Sequence, residues 1–183
     1  MKERPFDPAR LDVQRFARDG AELSGAWPLA GFARLVESAV ADDGVPGVVD
    51  WRVHGEWRRP RGHEAQPWLH LSATARLALQ CQRCLQPVAV DLAADRSFRF
   101  VAGEASAAEL DADSEEDVLA LPRALDLHEL LEDELLLALP LVPRHDTCPT
   151  PVPMSFGDDT AETVEDPPHP FEVLRTLKRG GPT

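Results

Sequence analysis

Apolar and polar residues alternate regularly through residues 69–101, in the middle of the chain. Apolar side chains hold every second position of 69–81, and nearly all the positions between them are polar. This period of two predicts a β-strand with one buried face, because successive side chains of a strand point to opposite sides. A second alternating limb covers 88–100 and is interrupted only by Arg96, where we expect a bend or a bulge. The two limbs predict a β-hairpin joined by a loop at 82–87.

Other segments predict helices and a further strand. Apolar residues recur at helical intervals in 29–40 and again in 126–139. The second of these is the clearest helix, because Asp126 supplies an N-cap and Glu129 follows three residues later, as in a capping box. Residues 48–54 alternate like a strand. Together the elements predict an α+β fold, in which an antiparallel sheet built from hairpins carries the helices on its apolar face.

Two stretches lack the pattern of a regular element. Residues 104–117 contain seven carboxylates and no basic residue, and such a segment buries too little apolar surface to offset the entropy of ordering. We expect a flexible acidic insert there, with an acidic docking segment or nucleic-acid mimic as the alternative. Residues 144–183 are rich in proline, which predicts an extended C-terminal region that ends in a short amphipathic helix. The whole chain, 1–183, is expected to form a single domain.

The charge of the chain limits its partners. The 183 residues carry a net charge of -13 at pH 7, which argues against nucleic acid contacting the whole surface but leaves room for a local basic patch. The first residues are charged, with no apolar stretch behind them, and no run approaches the roughly 18 apolar residues that a membrane span needs. We therefore expect a cytoplasmic protein with reduced thiols and no membrane partner.

The three cysteines offer the most specific chemistry. Cys81 and Cys84 have the two-residue gap that lets both thiolates reach one tetrahedral zinc ion. His145 and Cys148 have the same gap and would complete a set of three cysteines and one histidine, so zinc is a candidate cofactor. Two alternatives stay open. The thiols can be half-buried caps of the hairpin, or a redox pair, although a redox pair belongs with a βαβ pattern and here the pair joins two strands.

Arginine and tryptophan cluster around the connection between the predicted strands at 48–54 and 69–81. Cations pair with phosphates, and indole rings stack on bases, so this cluster predicts a local contact with RNA. A solvated hairpin loop is the alternative. The RNA-binding candidates are Arg52, Trp57, Arg58, Arg59 and Arg61, with Arg83 in the 82–87 loop and Lys178 and Arg179 in the C-terminal tail.

The sequence shows no pattern typical of an enzyme. Its glycines are scattered rather than spaced as a phosphate-binding loop, and no nucleophile stands at a local spacing from a base. The acidic run 132–134 lies in the middle of a predicted helix, where we interpret it as a polar face rather than a catalytic carboxylate pair. We therefore expect a non-enzymatic protein with no small-molecule substrate.

Three motifs are specific when they are taken together. Residues 81–88 read CQRCLQPV, residues 132–145 read EDELLLALPLVPRH, and residues 170–178 read PFEVLRTLK after His169. Their order and spacing resemble the CxRCLxPV, EDE…ALPxVPxH and NPFxVLxxLK segments of the YceD family, the large ribosomal RNA subunit accumulation proteins. His169 stands where the family has asparagine. The resemblance covers most of the chain from about residue 48 onward.

The resemblance implies a bacterial or organellar factor, without known catalytic activity, that is needed for normal levels of large-subunit ribosomal RNA. Its role would lie in ribosome assembly, or in processing or protecting that RNA. Some members carry additional cysteines near the C-terminal motif, which would complete a four-cysteine metal site, whereas this sequence has His145 and Cys148 there.

The partner stays open at this point. The RNA itself would be held by the basic candidates, whereas a basic ribosomal protein would be held by the acidic residues of 104–117 and 132–134. A metal-dependent RNA-processing enzyme is a third hypothesis, but the sequence lacks a recognisable carboxylate arrangement for it.

Overall fold

A sheet of long strands dominates the molecule. The computed structural model describes residues 5–40, 47–59 and 64–150. Its strands are β1 (Glu22–Pro28), β2 (Val48–Arg58), β3 (Gln66–Gln80), β4 (Pro87–Val101) and β5 (Asp117–Ala120). Its α-helices are α1 (Val13–Arg18), α2 (Ala33–Glu37), α3 (Glu104–Asp111) and α4 (Leu127–Leu137). All described residues belong to the first of two units, 1–150, so the helix predicted near the C-terminus lies outside the described residues.

The five strands lie side by side in the order in which they occur along the chain. The predicted hairpin is confirmed, since β3 pairs antiparallel with β4 from Trp68↔Arg99 to Gln80↔Pro87. The register is unbroken, so the bend or bulge expected near Arg96 is wrong. Arg96 instead keeps the inward parity and forms an ion pair with Glu134 of α4. A charged residue can therefore hold an inward position where the helix beyond it offers a carboxylate.

The sheet is mixed rather than wholly antiparallel, because β5 pairs parallel with β4. A parallel neighbour needs a crossover, and α3 supplies it in the segment that we expected to be a flexible insert. Ala107 of α3 is buried against Val101 and Val118, so small alanine side chains provide the apolar contact. The Asp111 carboxylate also accepts a hydrogen bond from the Val118 backbone N–H at 2.9 Å.

The main core lies between the inner face of the sheet and the helices α1, α2 and α4. Fully buried side chains from all three helices, including Phe16, Leu35 and Leu131, meet the inward residues of β2, β3 and β4. The predicted cap of α4 is confirmed, since the Asp126 carboxylate accepts from the backbone N–H groups of His128 and Glu129. The helix predicted over 29–40 is shorter, with a 3-10 turn ahead of α2. Among the described helices, none has the length and apolar character needed to cross a bilayer.

The acidic run of α4 is not a simple polar face. Glu132 and Glu134 are both buried, with 7% of each residue exposed, and only Asp133 between them is exposed. Glu132 pairs with Arg34 and Glu134 pairs with Arg96. The interpretation as a solvated face was wrong, because the two arginines lie far away in the sequence and nothing in the local pattern shows their approach.

Candidate metal centre and basic surface

The hairpin loop between β3 and β4 places two thiols at its tip. The Leu85 N–H donates to the Cys81 carbonyl at 2.9 Å, and the Cys81 N–H donates to the Gln86 carbonyl at 2.9 Å, so the loop curls around the Cys81 backbone. The turn requires a positive φ of 62° at Leu85, which is a strained conformation for a residue other than glycine. This tight turn brings the Cys84 thiol back beside Cys81.

The segment that follows α4 returns to the hairpin tip. The Gln82 N–H donates to the Pro143 carbonyl at 2.8 Å, which ties this irregular segment to the loop. His145 and Cys148 are thereby placed beside Cys81 and Cys84, and the four potential ligand atoms lie within 4.8 Å of one another. The structure thus brings together the four predicted metal-site residues, which the sequence could not join by local spacing.

The distances suit a tetrahedral ion. Zn–S bonds of about 2.3 Å and a Zn–N bond of about 2.0 Å place tetrahedral ligands about 3.8 Å apart for two sulfurs and about 3.5 Å apart for sulfur and nitrogen. The Cys81 and Cys148 sulfurs are 4.0 Å apart, and the Cys84 sulfur is 3.5 Å from His145 Nδ1. Cys81 is buried and the other three residues are half-buried. The cluster can therefore hold a metal ion with little rearrangement.

The His145 ring is oriented for ligation. Its Nε2–H donates to the Pro87 carbonyl at 2.9 Å, which leaves Nδ1 without the proton and directed at the Cys84 sulfur. A hydrogen bond to the far nitrogen is the usual way in which a protein fixes the tautomer of a metal-binding histidine. The acceptor is the first residue of β4, so the hairpin itself sets the ring orientation.

The local electrostatics favour a thiolate at Cys81. Burial raises the pKa of this thiol, but hydrogen bonds from the backbone N–H groups of Cys84, Arg83 and His145 outweigh burial and lower the pKa to about 5. For Cys84, burial raises the pKa, and hydrogen bonds with the other two thiols add to the effect. Metal ligation needs the thiolate form, so one ligand is already in that form at neutral pH.

Arg83 faces the metal-site cluster and is engaged there. Its Nε donates to the Cys148 sulfur at 3.0 Å, and its Nη2 donates to the carbonyls of His145 and Asp146 at 2.8 and 3.3 Å. The hydrogen bond to the Cys148 sulfur is the largest contribution that raises the pKa of Arg83. Arg83 was predicted as an RNA contact, but the donors described here are directed at its own chain.

The basic candidates on β2 lie at the opposite end of the hairpin. The β2 strand runs to Arg58 and β3 begins at Gln66, so Trp57 and Arg58 are strand residues and the connection is shorter than expected. The Arg58 guanidinium lies 4.9 Å from the centre of the Trp68 ring, and the Arg18 guanidinium lies 4.6 Å from that of Trp57.

The other RNA-binding candidates are placed less fully. Arg52 is exposed and forms an ion pair with Glu22 at 3.2 Å, and Arg59 is exposed at the end of the strand. Arg61, Lys178 and Arg179 lie outside the described residues.

One cation of this region was missed by the sequence analysis. Arg99 lies directly across from Trp68 on β4 and is buried, with 7% of its surface exposed. Its Nε donates to the Gln66 side chain at 2.6 Å, while its Nη2 and the Trp68 Nε1 have no hydrogen-bond acceptor among the described residues. The alternation of β4 places Arg99 on the outward face. Pairing the two strands of the predicted hairpin would have set Arg99 opposite Trp68 and so identified it as a further cation of this region.

We call the outward cluster of Arg58, Trp68 and Arg99, together with Arg52 six residues earlier on β2, the basic surface. It lies on the face of the sheet that α1, α2 and α4 leave open, near His54 and His70, whose rings are stacked 6.0 Å apart. Beside it is a shallow concavity of about 570 Å³, lined by small residues such as Ser24, Ser72 and Ala93 and by the carboxylates of Asp50 and Asp95. The outward face of the sheet therefore carries both signs of charge, and Arg52 lines the concavity together with Asp50 and Asp95.

Comparison with known proteins points to one family. The family model described as "Large ribosomal RNA subunit accumulation protein YceD" matches residues 69–178. A curated relative with the same description, from Haemophilus influenzae, is 34% identical over 103 residues, which cover 55% of this chain and 59% of the relative. The matched part thus spans less than two thirds of that relative. No solved structure gives a significant match. The matched residues include the four metal-site residues and Arg99 but begin after Arg52 and Arg58.

Proposed function

Because this chain belongs to the YceD family of large ribosomal RNA subunit accumulation proteins, we propose that it is a non-enzymatic factor for the accumulation of large-subunit ribosomal RNA and that it acts by binding that RNA. The family match, which covers more than half of the chain, is the observation that carries this proposal. The relative's description names the same RNA. Binding keeps the RNA in a form that can be processed or assembled.

The basic surface is the proposed contact with RNA. It offers exposed guanidinium groups at Arg52 and Arg58. Arg58 lies over the Trp68 ring, and the buried Arg99, directly across from Trp68, has no carboxylate partner among the described residues. The Arg58 Nε lies 3.9 Å from a Glu56 carboxylate oxygen, which is a long ion pair, so a phosphate oxygen can compete for the guanidinium. Arg59 and Arg61 extend the same strand end in the sequence. In a chain of net charge -13, such contacts are local, and the affinity depends strongly on salt.

A zinc ion at Cys81, Cys84, His145 and Cys148 is the second part of the proposal. Three sulfur donors and one imidazole nitrogen within 4.8 Å of one another, with the fixed His145 tautomer, support zinc over ions that prefer oxygen ligands. Four protein ligands leave no open position, so the ion serves the structure rather than a reaction. Bound there, it links the hairpin tip to the segment after α4.

RNA binding is tested by replacing Arg58, Arg59 and Arg61 together with alanine. Affinity for a large-subunit ribosomal RNA fragment should fall, and the slope of log affinity against log salt should decrease by about 2 to 3, since each phosphate contact contributes about 0.7 to 0.9. The matched control replaces Arg10, Arg76 and Arg123, which are exposed elsewhere and remove the same charge. An equal loss of affinity in both variants would refute a local RNA contact.

A basic ribosomal protein is the alternative partner. Its support is the row of exposed carboxylates along α3 and the turn that follows, including Glu104, Glu109, Glu115 and Glu116. Glu132 and Glu134 drop out of this hypothesis because both are buried in ion pairs.

The two partners are separated by a capture experiment on cell lysate with and without nuclease. A ribosomal protein that stays bound after nuclease treatment, and is lost when Glu109, Glu115 and Glu116 become glutamine, favours the protein partner. Replacing Glu37, Glu64 and Glu129 is the control, because these carboxylates are exposed elsewhere on the chain. Recovery of large-subunit RNA, with proteins lost after nuclease, favours RNA.

A further inference from the structure

Arg83 stands between two ligands of the proposed zinc site, yet its side chain reaches across to the other pair. Its three hydrogen bonds end on Cys148, His145 and Asp146, which belong to the segment after α4. Apart from Arg83, the contacts described between this segment and the hairpin loop are the Gln82 to Pro143 backbone bond and the contacts of His145 and of the thiols. A single guanidinium therefore supplies much of the connection between the two halves of the site.

We propose that Arg83 is a positioning residue of the metal centre, which holds the 145–148 segment against the hairpin tip and balances the charge of the loaded site, and that it is not an RNA contact. The inference rests on the proposed zinc site. It reassigns a residue that the sequence alone grouped with the RNA-binding cations.

The geometry of the side chain suits this role better than a lysine would. A guanidinium presents five N–H donors in a rigid, planar fork, so one residue can bond a sulfur with Nε and two carbonyls with Nη2. A lysine ammonium has donors at only one nitrogen and cannot reproduce that fork. Fixing the segment in advance also lowers the entropy cost of gathering ligands from two distant parts of the chain.

Charge provides the second argument. Three thiolates, a neutral imidazole and Zn²⁺ sum to one negative charge, and the Arg83 guanidinium brings the site to neutrality. The Arg83 Nε–H donated to Cys148 also stabilises the lone pairs of the Cys148 sulfur, and this hydrogen bond fixes Arg83 at the site.

The test compares the full-length wild type with Arg83→Ala, Arg83→Lys and a control, Arg76→Ala. Arg76 is an exposed arginine of the same hairpin, near Asp91 and away from the loop. Each protein is loaded with zinc, and the rate of zinc transfer to a coloured chelator is measured. Arg83→Ala should lose zinc about 10 to 100 times faster than wild type, as is typical when an outer partner of a metal ligand is removed. Arg83→Lys keeps the charge but loses the fork of donors, so it should release zinc faster than wild type and more slowly than Arg83→Ala, and Arg76→Ala should match wild type.

Two further readouts separate positioning from a general loss of stability. With cobalt in place of zinc, the thiolate-to-metal absorption band should move to longer wavelength in Arg83→Ala, because the hydrogen bond to the Cys148 sulfur is gone. RNA affinity of the metal-loaded variant should stay within about twofold of wild type. If Arg83→Ala fails to fold, Arg83→Lys keeps the charge and carries both measurements.

The outcomes that contradict the inference are distinct. Unchanged zinc release in Arg83→Ala, with weaker RNA binding, would return Arg83 to the RNA contacts while leaving the zinc site intact. A wild-type protein that binds neither zinc nor cobalt would overturn the metal site and this inference together. The proposed RNA role would survive that result, since it rests on the family match and the basic surface.

Discussion

Glu132 should be among the most sensitive single positions for stability in the described part of the chain. Its carboxylate accepts hydrogen bonds from the Arg34 backbone N–H at 2.8 Å, the Arg34 Nε at 2.9 Å and the Leu35 backbone N–H at 3.3 Å. The first turn of α2 has no side-chain cap of its own, so Glu132 caps it from another helix. Removing this group affects both an ion pair and a helix N-terminus.

The magnitude depends on the replacement. Glu132→Gln keeps one oxygen for the α2 backbone but places an NH₂ group opposite the Arg34 Nε, so we expect a loss of about 2 kcal/mol, the usual worth of a hydrogen bond to a charged group. Glu132→Ala leaves the buried N–H groups without an acceptor and should cost about 3–5 kcal/mol. Arg34 is half-exposed and retains its ion pair with Asp133 in this variant, which limits the free energy lost by leaving its guanidinium without Glu132.

Urea and thermal unfolding of metal-loaded protein measure the change. A loss of about 2 kcal/mol corresponds to a fall of about 4–8 °C in Tm for a chain of this size. Glu129→Gln is the matched control on the same helix, because Glu129 is exposed and should change stability by less than about 0.5 kcal/mol. If Glu132→Gln and Glu129→Gln behave alike, the capping role of Glu132 is refuted.

The pH dependence of the Glu132 effect has a definite sign. Burial raises the pKa of this carboxyl, but the hydrogen bonds from Arg34 and Leu35 outweigh burial, so the net pKa is lowered below 4.5. A carboxyl with a lowered folded pKa stabilises the protein above its unfolded pKa, and this contribution is lost as pH falls through the folded pKa. The stability difference between wild type and Glu132→Gln should therefore be full at neutral pH and shrink below about pH 4.5.

Three further substitutions give contrasting outcomes. Burial raises the pKa of Glu134 despite Arg96, so its charged form costs stability as pH rises through the raised pKa. Thermal unfolding at pH 7 should therefore find Glu134→Gln nearly neutral or stabilising. A loss of stability as large as that of Glu132→Gln would contradict this. Cys148→Ser should abolish stoichiometric zinc binding. A chelator should then lower the Tm of wild type but not the Tm of this variant. Equal Tm shifts in both proteins would argue against the metal site. Leu85 is exposed, and its positive φ suits glycine. Urea unfolding of Leu85→Gly should therefore give a free energy of unfolding about 0.5–1 kcal/mol higher than that of wild type. A lower stability would show that the Leu85 side chain contributes packing.

Local patterns were enough for the elements whose contacts are local or regular. The alternation through 69–101 predicted the β3–β4 hairpin, and the Asp126 cap predicted the start of α4. The same patterns failed where the partner was distant. Nothing near Glu132 in the sequence indicates Arg34, and α3 looked like a flexible insert because its apolar contact is made by alanine rather than by large side chains.

The candidate site divides in the same way. The two-residue gaps at 81–84 and 145–148 identified all four residues of the cluster that could hold a metal, because ligand spacing is a local property. Their convergence could not be predicted, since it depends on the path of the chain after α4. Arg83 illustrates the limit most clearly. Its cationic side chain suggested a contact with RNA, whereas its orientation is set by carbonyls and a sulfur that lie about 60 residues later in the chain.

Several residues of the first two motifs are engaged with other parts of the protein, and this has a consequence for where recognition takes place. Cys81, Arg83, Cys84, His145 and Cys148 face one another, while Glu132 and Glu134 hold α2 and β4 through arginines. Substituting a residue of the cysteine and histidine cluster should therefore change metal retention, and substituting Glu132 should change stability, before either change affects affinity for a partner. Affinity should instead respond to exposed arginines at the other end of the hairpin, above all Arg58 and Arg59. A motif variant that folds, keeps its zinc and still loses RNA binding would show that the motif itself contacts the RNA.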